Sequence, residues 1–164
     1  MIKLHLSESD IKEIVSRVAN PFLQMAMVKK REFLVQVDTV PLYLWVDVAK
    51  IESAVQNLLS NAFKYTPSGG TIWVKMYITE NKLIFSVYNT GKGIPEKDIS
   101  NIFNRYTILD NISENSVNEL SARNGLGLAI AYSMAELLKG NIEVESIENN
   151  YTCFTVCLLY TSPS

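Results

Sequence analysis

Gln56-Asn57-Leu58-Leu59-Ser60-Asn61-Ala62-Phe63-Lys64-Tyr65-Thr66 is the stretch on which the reading of the chain turns. At about 100° per residue, Ile51, Val55, Leu58 and Ala62 gather on one side of a helix and face a core. Asn57, Asn61 and Lys64 fall within an arc of roughly 60° on another side. Amide oxygens are hard ligands that suit Mg²⁺, and an ammonium group suits a phosphate. A helix with such a face is fitted to a metal–phosphate complex. An asparagine pair alone is more often structural, so the weight falls on its company elsewhere in the chain.

Working outward, Asp47 caps this helix, which is expected over Val48 to Tyr65. Before it, Leu42 to Val46 and Glu32 to Asp38 read as strands, the second alternating Phe33, Val35 and Val37. Ser9-Asp10 reads as a helix start, followed by Ile11, Ile14, Val15 and Val18 at helical spacing. Pro21 should interrupt or kink that helix, which resumes through Phe22 to Lys30. After the central helix, Pro67-Ser-Gly-Gly70 is a turn. Thr71 to Thr79 and Lys82 to Asn89 are strands joined by the tight connection Glu80-Asn81. Pro95 opens a short helix running to about Phe103. Asn104 to Asn124 is polar and irregular, Leu126 to Leu138 an apolar helix stopped by Gly140, and Asn141 to Ser146 and Thr152 to Leu159 are strands. Strands arriving in hairpin pairs between helices predict an α+β fold, with helices on one face of a mixed sheet whose other face is less covered. One domain is expected over residues 1–160, with 161–164 a frayed or expression-derived tail.

The 164 residues suffice for one core, and 48% apolar with 20% charged residues is ordinary for a soluble globular domain. A net charge of −2 argues against general nucleic-acid binding. No apolar run is long enough to span a bilayer and no signal peptide follows Met1, so a cytoplasmic location without direct membrane contact is expected. Cys153 and Cys157 sit four apart in a strand, on one face and about 13 Å apart, too far for a disulfide with each other. They read as reduced, small apolar residues. His5, the only histidine, has no metal-binding or catalytic surroundings in Leu4-His-Leu-Ser-Glu8.

Two glycine pairs flank the irregular segment: Asn89-Thr-Gly91-Lys-Gly93 before it and Gly125-Leu-Gly127 after it. Glycine allows close backbone approach to a ligand, and Gly125 precedes a helix whose first amides suit an anion. Neither pair is a P-loop or a dinucleotide fingerprint. A segment hinged between two glycine pairs, beside the Asn/Lys helix, describes a lid over a phosphate site.

On these residues the chain resembles the ATP-binding catalytic domain of sensor histidine kinases, in the superfamily shared with gyrase, Hsp90 and MutL. Asn57-Leu-Leu-Ser-Asn61-Ala-Phe-Lys-Tyr65 resembles the N box, Asn89-Thr-Gly-Lys-Gly-Ile94 the G1 box, Ile102-Phe-Asn-Arg-Tyr106 the F box and Arg123-Asn-Gly-Leu-Gly-Leu128 the G2 box. The resemblance covers residues 8 to 159 with order and spacing in agreement. It implies a two-layer α/β sandwich of the Bergerat type and Mg²⁺-dependent ATP binding. The nucleotide set it implies is Asn57, Asn61, Lys64, Tyr65, Asn89, Gly91, Gly93, Ile94, Arg105, Tyr106, Arg123, Gly125, Leu126, Gly127 and Leu128. Within that set Asn61 supplies the metal oxygen, Asn57 supports phosphates or metal water, and Lys64 meets a phosphate. Phe103 is implied to be a packing residue at the base of the lid.

The ATPase members of the superfamily carry a glutamate where this chain has Asn57, and a neutral amide is no general base. The resemblance therefore implies γ-phosphoryl transfer to a histidine on a separate dimerisation domain, with a response-regulator receiver downstream, rather than hydrolysis. Three departures stand out. Asn89 occupies the place of an aspartate that accepts from the adenine amino group, Arg123 replaces a glycine, and no phosphoacceptor histidine is present. The alternatives are a degenerate nucleotide-binding or scaffold module and an anti-sigma-type serine kinase.

Overall fold

The computed structural model describes residues 5–37, 41–99, 131–132, 135–136 and 139–159. A short strand β1 (Ser7–Asp10) leads into helix α1 (Ile11–Val28), and strands β2 (Glu32–Val37) and β3 (Tyr43–Val46) precede helix α2 (Val48–Tyr65). Strands β4 (Thr71–Thr79) and β5 (Lys82–Thr90), a single-turn helix α3 (Glu96–Ile99), and strands β6 (Asn141–Ile147) and β7 (Tyr151–Leu159) follow. Residues 131–132 and 135–136 are helical.

Both long helices begin at aspartates. Asp10 accepts from the Lys12 amide at 3.0 Å and Asp47 from the Lys50 amide at 3.2 Å, which satisfies amides that have no partner inside the helix. The same two carboxylates hold more distant chain. Asp10 also accepts from Leu42 N at 3.2 Å, and Asp47 from His5 N at 2.8 Å. These contacts tie the antiparallel β1–β3 pair, a small second sheet, to the helix starts.

Five strands form the main sheet in the order β2-β4-β5-β7-β6, with β2 and β4 parallel and the other neighbours antiparallel. The turn Glu80-Asn81 has both residues at positive φ, 49° and 64°, the two-residue hairpin geometry whose twist matches its strands. One face of the sheet carries Ile72, Val74, Met76, Leu83, Phe85, Val87, Ile142, Phe154 and Leu158, all buried under the helices. From α2, Val55, Leu58, Leu59, Ala62 and Phe63 close the core, and from α1 Ile14, Val15, Val18 and Phe22. Phe63 sits 5.1 Å from Phe22 and 5.2 Å, edge-on, from Phe33, so it joins both helices to the sheet. Each large aliphatic side chain buried here contributes about 1.5–3 kcal/mol. The opposite face carries a stack of rings: Trp73 lies 4.9 Å from Tyr88, which lies 5.4 Å from Tyr151, and Lys75 covers the Trp73 ring at 4.6 Å.

The structure corrects the sequence reading at four points. Helix α1 is continuous from Ile11 to Val28, and exposed Pro21 does not interrupt it, its inner stripe anchored on both sides by Val18, Ala19 and Phe22. Strand β1 was not foreseen: its four polar residues carry no alternating pattern, and pairing with β3 defines it. Strands β2 and β3 do not form a hairpin; β3 pairs with β1, and β2 with β4 across α2. Before Gly140, Lys139 takes the left-handed conformation (φ 60°), while Gly140 N bonds Ala135 O at 2.8 Å and Lys139 N bonds Glu136 O at 3.1 Å, a Schellman ending. Cys153 and Cys157 share one face and are free thiols, as expected. Burial raises the Cys153 thiol above its ordinary pKa.

Candidate nucleotide site

Helix α2 presents its amide face beside the core. Asn57 and Asn61 are both half-buried. Asn57 donates its Nδ2 to the carbonyl of Ser53 at 2.8 Å, which fixes the amide so that its oxygen points away from that bond. Lys64 and Tyr65 are exposed at the end of the helix, with the ammonium 5.4 Å from the Tyr65 ring centre. Thr66 ends α2, its hydroxyl donating to Ala62 O at 2.6 Å and its carbonyl accepting from Arg31 Nε at 2.7 Å.

The glycine loop that follows β5 meets this helix end. A Cβ on Gly91 would lie 2.5 Å from Tyr65 O, so only glycine lets the loop pack against the last turn of α2. Gly93 has φ 68°, and a Cβ there would strike Ile147 O in the β6–β7 hairpin. That hairpin grips the loop from the other side. Gly91 N donates to Asn150 O at 3.1 Å, Asn149 N to Lys92 O at 2.5 Å, and Ile94 N to Ser146 Oγ at 2.8 Å. Just before the loop, Asn89 is buried on the helix-facing side of the sheet, directly opposite buried Thr152, and donates its Nδ2 to Thr90 O at 3.1 Å.

Tyr65, Asn89, Gly91, Gly93 and Ile94 therefore lie along the junction of α2, the end of β5 and the glycine loop, with Asn61 and Asn57 one and two turns back along α2. Lys64, grouped with the asparagines by helical spacing, lines a groove of about 810 Å³ that opens between the end of α2, the loop and the β6–β7 turn. Arg31 and Lys92 line the groove too, and no acidic residue does among the described residues. Arg105, Tyr106, Arg123, Gly125, Leu126, Gly127 and Leu128, together with Phe103, lie outside the described residues.

Sequence reasoning did not single out Ser146, Asn149, Asn150 or Thr152. The signal was parity: in Ile142-Glu-Val-Glu-Ser146 and Thr152-Cys-Phe-Thr-Val156, the residues that share the buried face are apolar except for Ser146 and Thr152. Among the described residues no group of three or more His, Cys, Asp or Glu could hold a metal ion. The available donors are amide oxygens, which fits a Mg²⁺ held mainly by substrate phosphates and water with one or two protein oxygens. Asn61 makes no side-chain hydrogen bond among the described residues, so its amide is available for that role.

A layered sheet with one helical face, a polar helix and a glycine loop pinned beside it define a two-layer α/β sandwich. The family described as histidine kinase-, DNA gyrase B-, and HSP90-like ATPase matches residues 46–162, and the chain belongs to that family. Its fold is that of histidine kinase catalytic domains. The catalytic domain of histidine kinase ThkA superposes with a TM-score of 0.79 over 97% of this chain and 100% of that one, at 24% identity. Full-length ShkA in complex with AMPPNP gives 0.78 over 99% of this chain and 33% of its own, at 23% identity. ThkA is also known in complex with the response regulator TrrA. Sensor histidine kinase WalK of Bacillus subtilis is 35% identical over 131 residues, 79% of this chain and 21% of WalK. The chain thus spans about a fifth of that relative's length. Among the described residues no helix is long and apolar enough to cross a membrane.

Proposed function

We propose that this chain binds Mg·ATP and donates its γ-phosphoryl group to a histidine on a separate dimerisation domain, in two-component signalling. The observation that carries the reading is the contact between the glycine loop and the end of α2. It brings the loop against Tyr65, four residues after Asn61, which supports a site bordered by amide oxygens and loop amides. Asn61 would hold Mg²⁺, Asn57 would support the phosphates or a metal-bound water, and Lys64 would reach a phosphate. Asn89 would accept from the adenine amino group. Bound Mg²⁺ supplies charge neutralisation on the triphosphate. The chain's own contribution is positioning and electrostatics, as in other phosphoryl transfers. Since Asn57 is an amide, no side chain at its position can take a proton from water, which favours transfer over hydrolysis. A response-regulator receiver would take the phosphoryl group next, and the domain would work in the cytosol as part of a longer sensor protein.

Calorimetry with a non-hydrolysable ATP analogue, with and without Mg²⁺, tests the first half. Binding should require Mg²⁺ for full affinity, and no binding at millimolar nucleotide would overturn the reading. Adding a helical domain that carries a phosphoacceptor histidine tests the second half. The product should be acid-labile; an acid-stable phosphoserine would point to a serine kinase instead. Asn89, an amide where the resemblance calls for a carboxylate, favours as second reading a nucleotide-binding module without catalysis. That reading requires nucleotide binding with no transfer to any histidine domain.

A further inference from the structure

We propose that Ser146 is a positioning and specificity-determining residue: it fixes the glycine loop through Ile94 and, by accepting the Thr152 hydroxyl proton, leaves Thr152 as an acceptor beside the Asn89 amide oxygen. The inference rests on the nucleotide reading above and concerns which base that site admits.

A serine hydroxyl has one proton and two lone pairs. Around Ser146 Oγ lie Ile94 N at 2.8 Å, Tyr151 O at 2.8 Å and Thr152 Oγ1 at 2.9 Å. The roles of the outer two are forced. An amide N–H only donates, so Ile94 takes one lone pair; a carbonyl only accepts, so Tyr151 O takes the Ser146 proton. One lone pair remains, and Thr152 must donate to it. The Thr152 hydroxyl therefore has lone pairs and no proton left for anything else. Opposite it on β5, Asn89 commits one of its two amide N–H groups to the Thr90 carbonyl, and its Oδ1 is the acceptor of that side chain. Both residues are buried, 5% and 7% exposed, so a ligand group that failed to complement them would lose a buried hydrogen bond.

Two acceptors on facing residues, Thr152 Oγ1 and Asn89 Oδ1, favour a base edge that donates, as the exocyclic amine of adenine does, over the carbonyl edge of guanine. A site built around hydrogen bonds discriminates strongly against a partner of the wrong polarity. The same serine also shapes the loop. Gly91 and Gly93 gain freedom from lacking a Cβ and lose much of it when ordered. The Ile94–Ser146 bond, beside the two backbone bonds to Asn149 and Asn150, keeps them ordered before any ligand arrives.

The test compares Ser146→Ala with Ser86→Ala. Ser86 also hydrogen-bonds across β5 and β7, to Thr155 at 3.1 Å, but on the opposite face of the sheet. Affinities for Mg²⁺ complexes of non-hydrolysable ATP and GTP analogues are measured, together with hydrogen exchange of the Ile94 amide without nucleotide. In S146A the ATP analogue should weaken about tenfold, as expected for losing a buried hydrogen bond of roughly 1.4 kcal/mol. The preference over the GTP analogue should shrink at least as much, and Ile94 should exchange faster. S86A should leave all three unchanged. Unchanged base preference or unchanged Ile94 exchange in S146A overturns the proposal. Should S146A not fold, Ser146→Cys keeps the side-chain size with a weaker acceptor and should shift the same quantities in the same direction. If the wild-type chain binds neither analogue, the nucleotide reading and the base preference both fall, while Ile94 exchange still decides whether Ser146 pins the loop.

Discussion

The two walls of the candidate site are built in opposite ways. The α2 wall is local: Asn57 and Asn61 are one helical turn apart, and their spacing follows from the helix itself. The glycine-loop wall is assembled at a distance, by bonds from residues 91–94 to residues 146–150 across the sheet. A local wall fails at one side chain and leaves the fold standing. A distributed wall fails wherever its supports are cut, with affinity and local order lost together.

The sharpest way to break this contrast is Asn61→Ala. Mg²⁺-dependent nucleotide affinity should fall on the order of 100-fold, about 2.7 kcal/mol, with thermal unfolding unchanged. Calorimetry beside a melting curve checks it, and Mg²⁺-dependent affinity equal to wild type would show that the α2 wall does not hold the metal. Gly91→Ala attacks the other wall, because the new Cβ meets the Tyr65 backbone oxygen at 2.5 Å. It should weaken nucleotide at least tenfold, about 1.4 kcal/mol, and speed amide exchange around the loop, and a variant with native exchange would refute the close approach.

Leu59→Ala, at a fully buried position of α2, separates stability from site. It should cost about 3 kcal/mol and lower the melting temperature, while the folded fraction binds nucleotide as before. Altered affinity at a temperature where the variant is fully folded would show that the core itself shapes the amide face. Asn89→Asp sets two effects against each other. The carboxylate strengthens the bond to a donor by about 1–2 kcal/mol, but it loses the Asn89–Thr90 bond and places an oxygen beside a carbonyl. Nucleotide should bind more tightly and the ligand-free protein should melt lower; unchanged values for both would count against the pocket.

The smallest effect concerns the outer face. With its pKa raised by burial, the Cys153 thiol should alkylate more slowly at pH 8.5 than the same residue in denatured chain, which mass spectrometry of the modified peptide would read. Since the folded pKa is raised, the stability linked to this thiol is present below its unfolded pKa near 9 and is lost as pH rises through the higher folded value. Equal alkylation rates would remove the burial argument.

Much of this was legible in the sequence for the same reason that one wall is local. The 3.6-residue period and the Asp47 cap marked α2 from Val48 to Tyr65, and the alternation with Glu80-Asn81 marked the β4–β5 hairpin. What the sequence did not reveal depends on pairing at a distance. Strand β1 has no apolar period, and β2 pairs parallel with a strand beyond a whole helix. Ser146 and Thr152 gain their place only when two strand ends and a loop meet. Pro21 does not interrupt α1, because a local rule about a missing amide is set against a helix held on both sides of it by buried residues.

The ring stack on the open side of the sheet gives the molecule a built-in optical gauge. Tyr88 and Tyr151 directly precede Asn89 and Thr152 in sequence, so they sit on the back of the two strand segments that carry the candidate base-binding residues. Trp73 emission, quenched or shifted by its neighbour at 4.9 Å, would register any displacement there without a label. The only other tryptophan, Trp45, lies on the small sheet and is 66% exposed, so replacing it with phenylalanine would silence the background. Ligand occupancy would then be read in fluorescence from the side opposite the ligand.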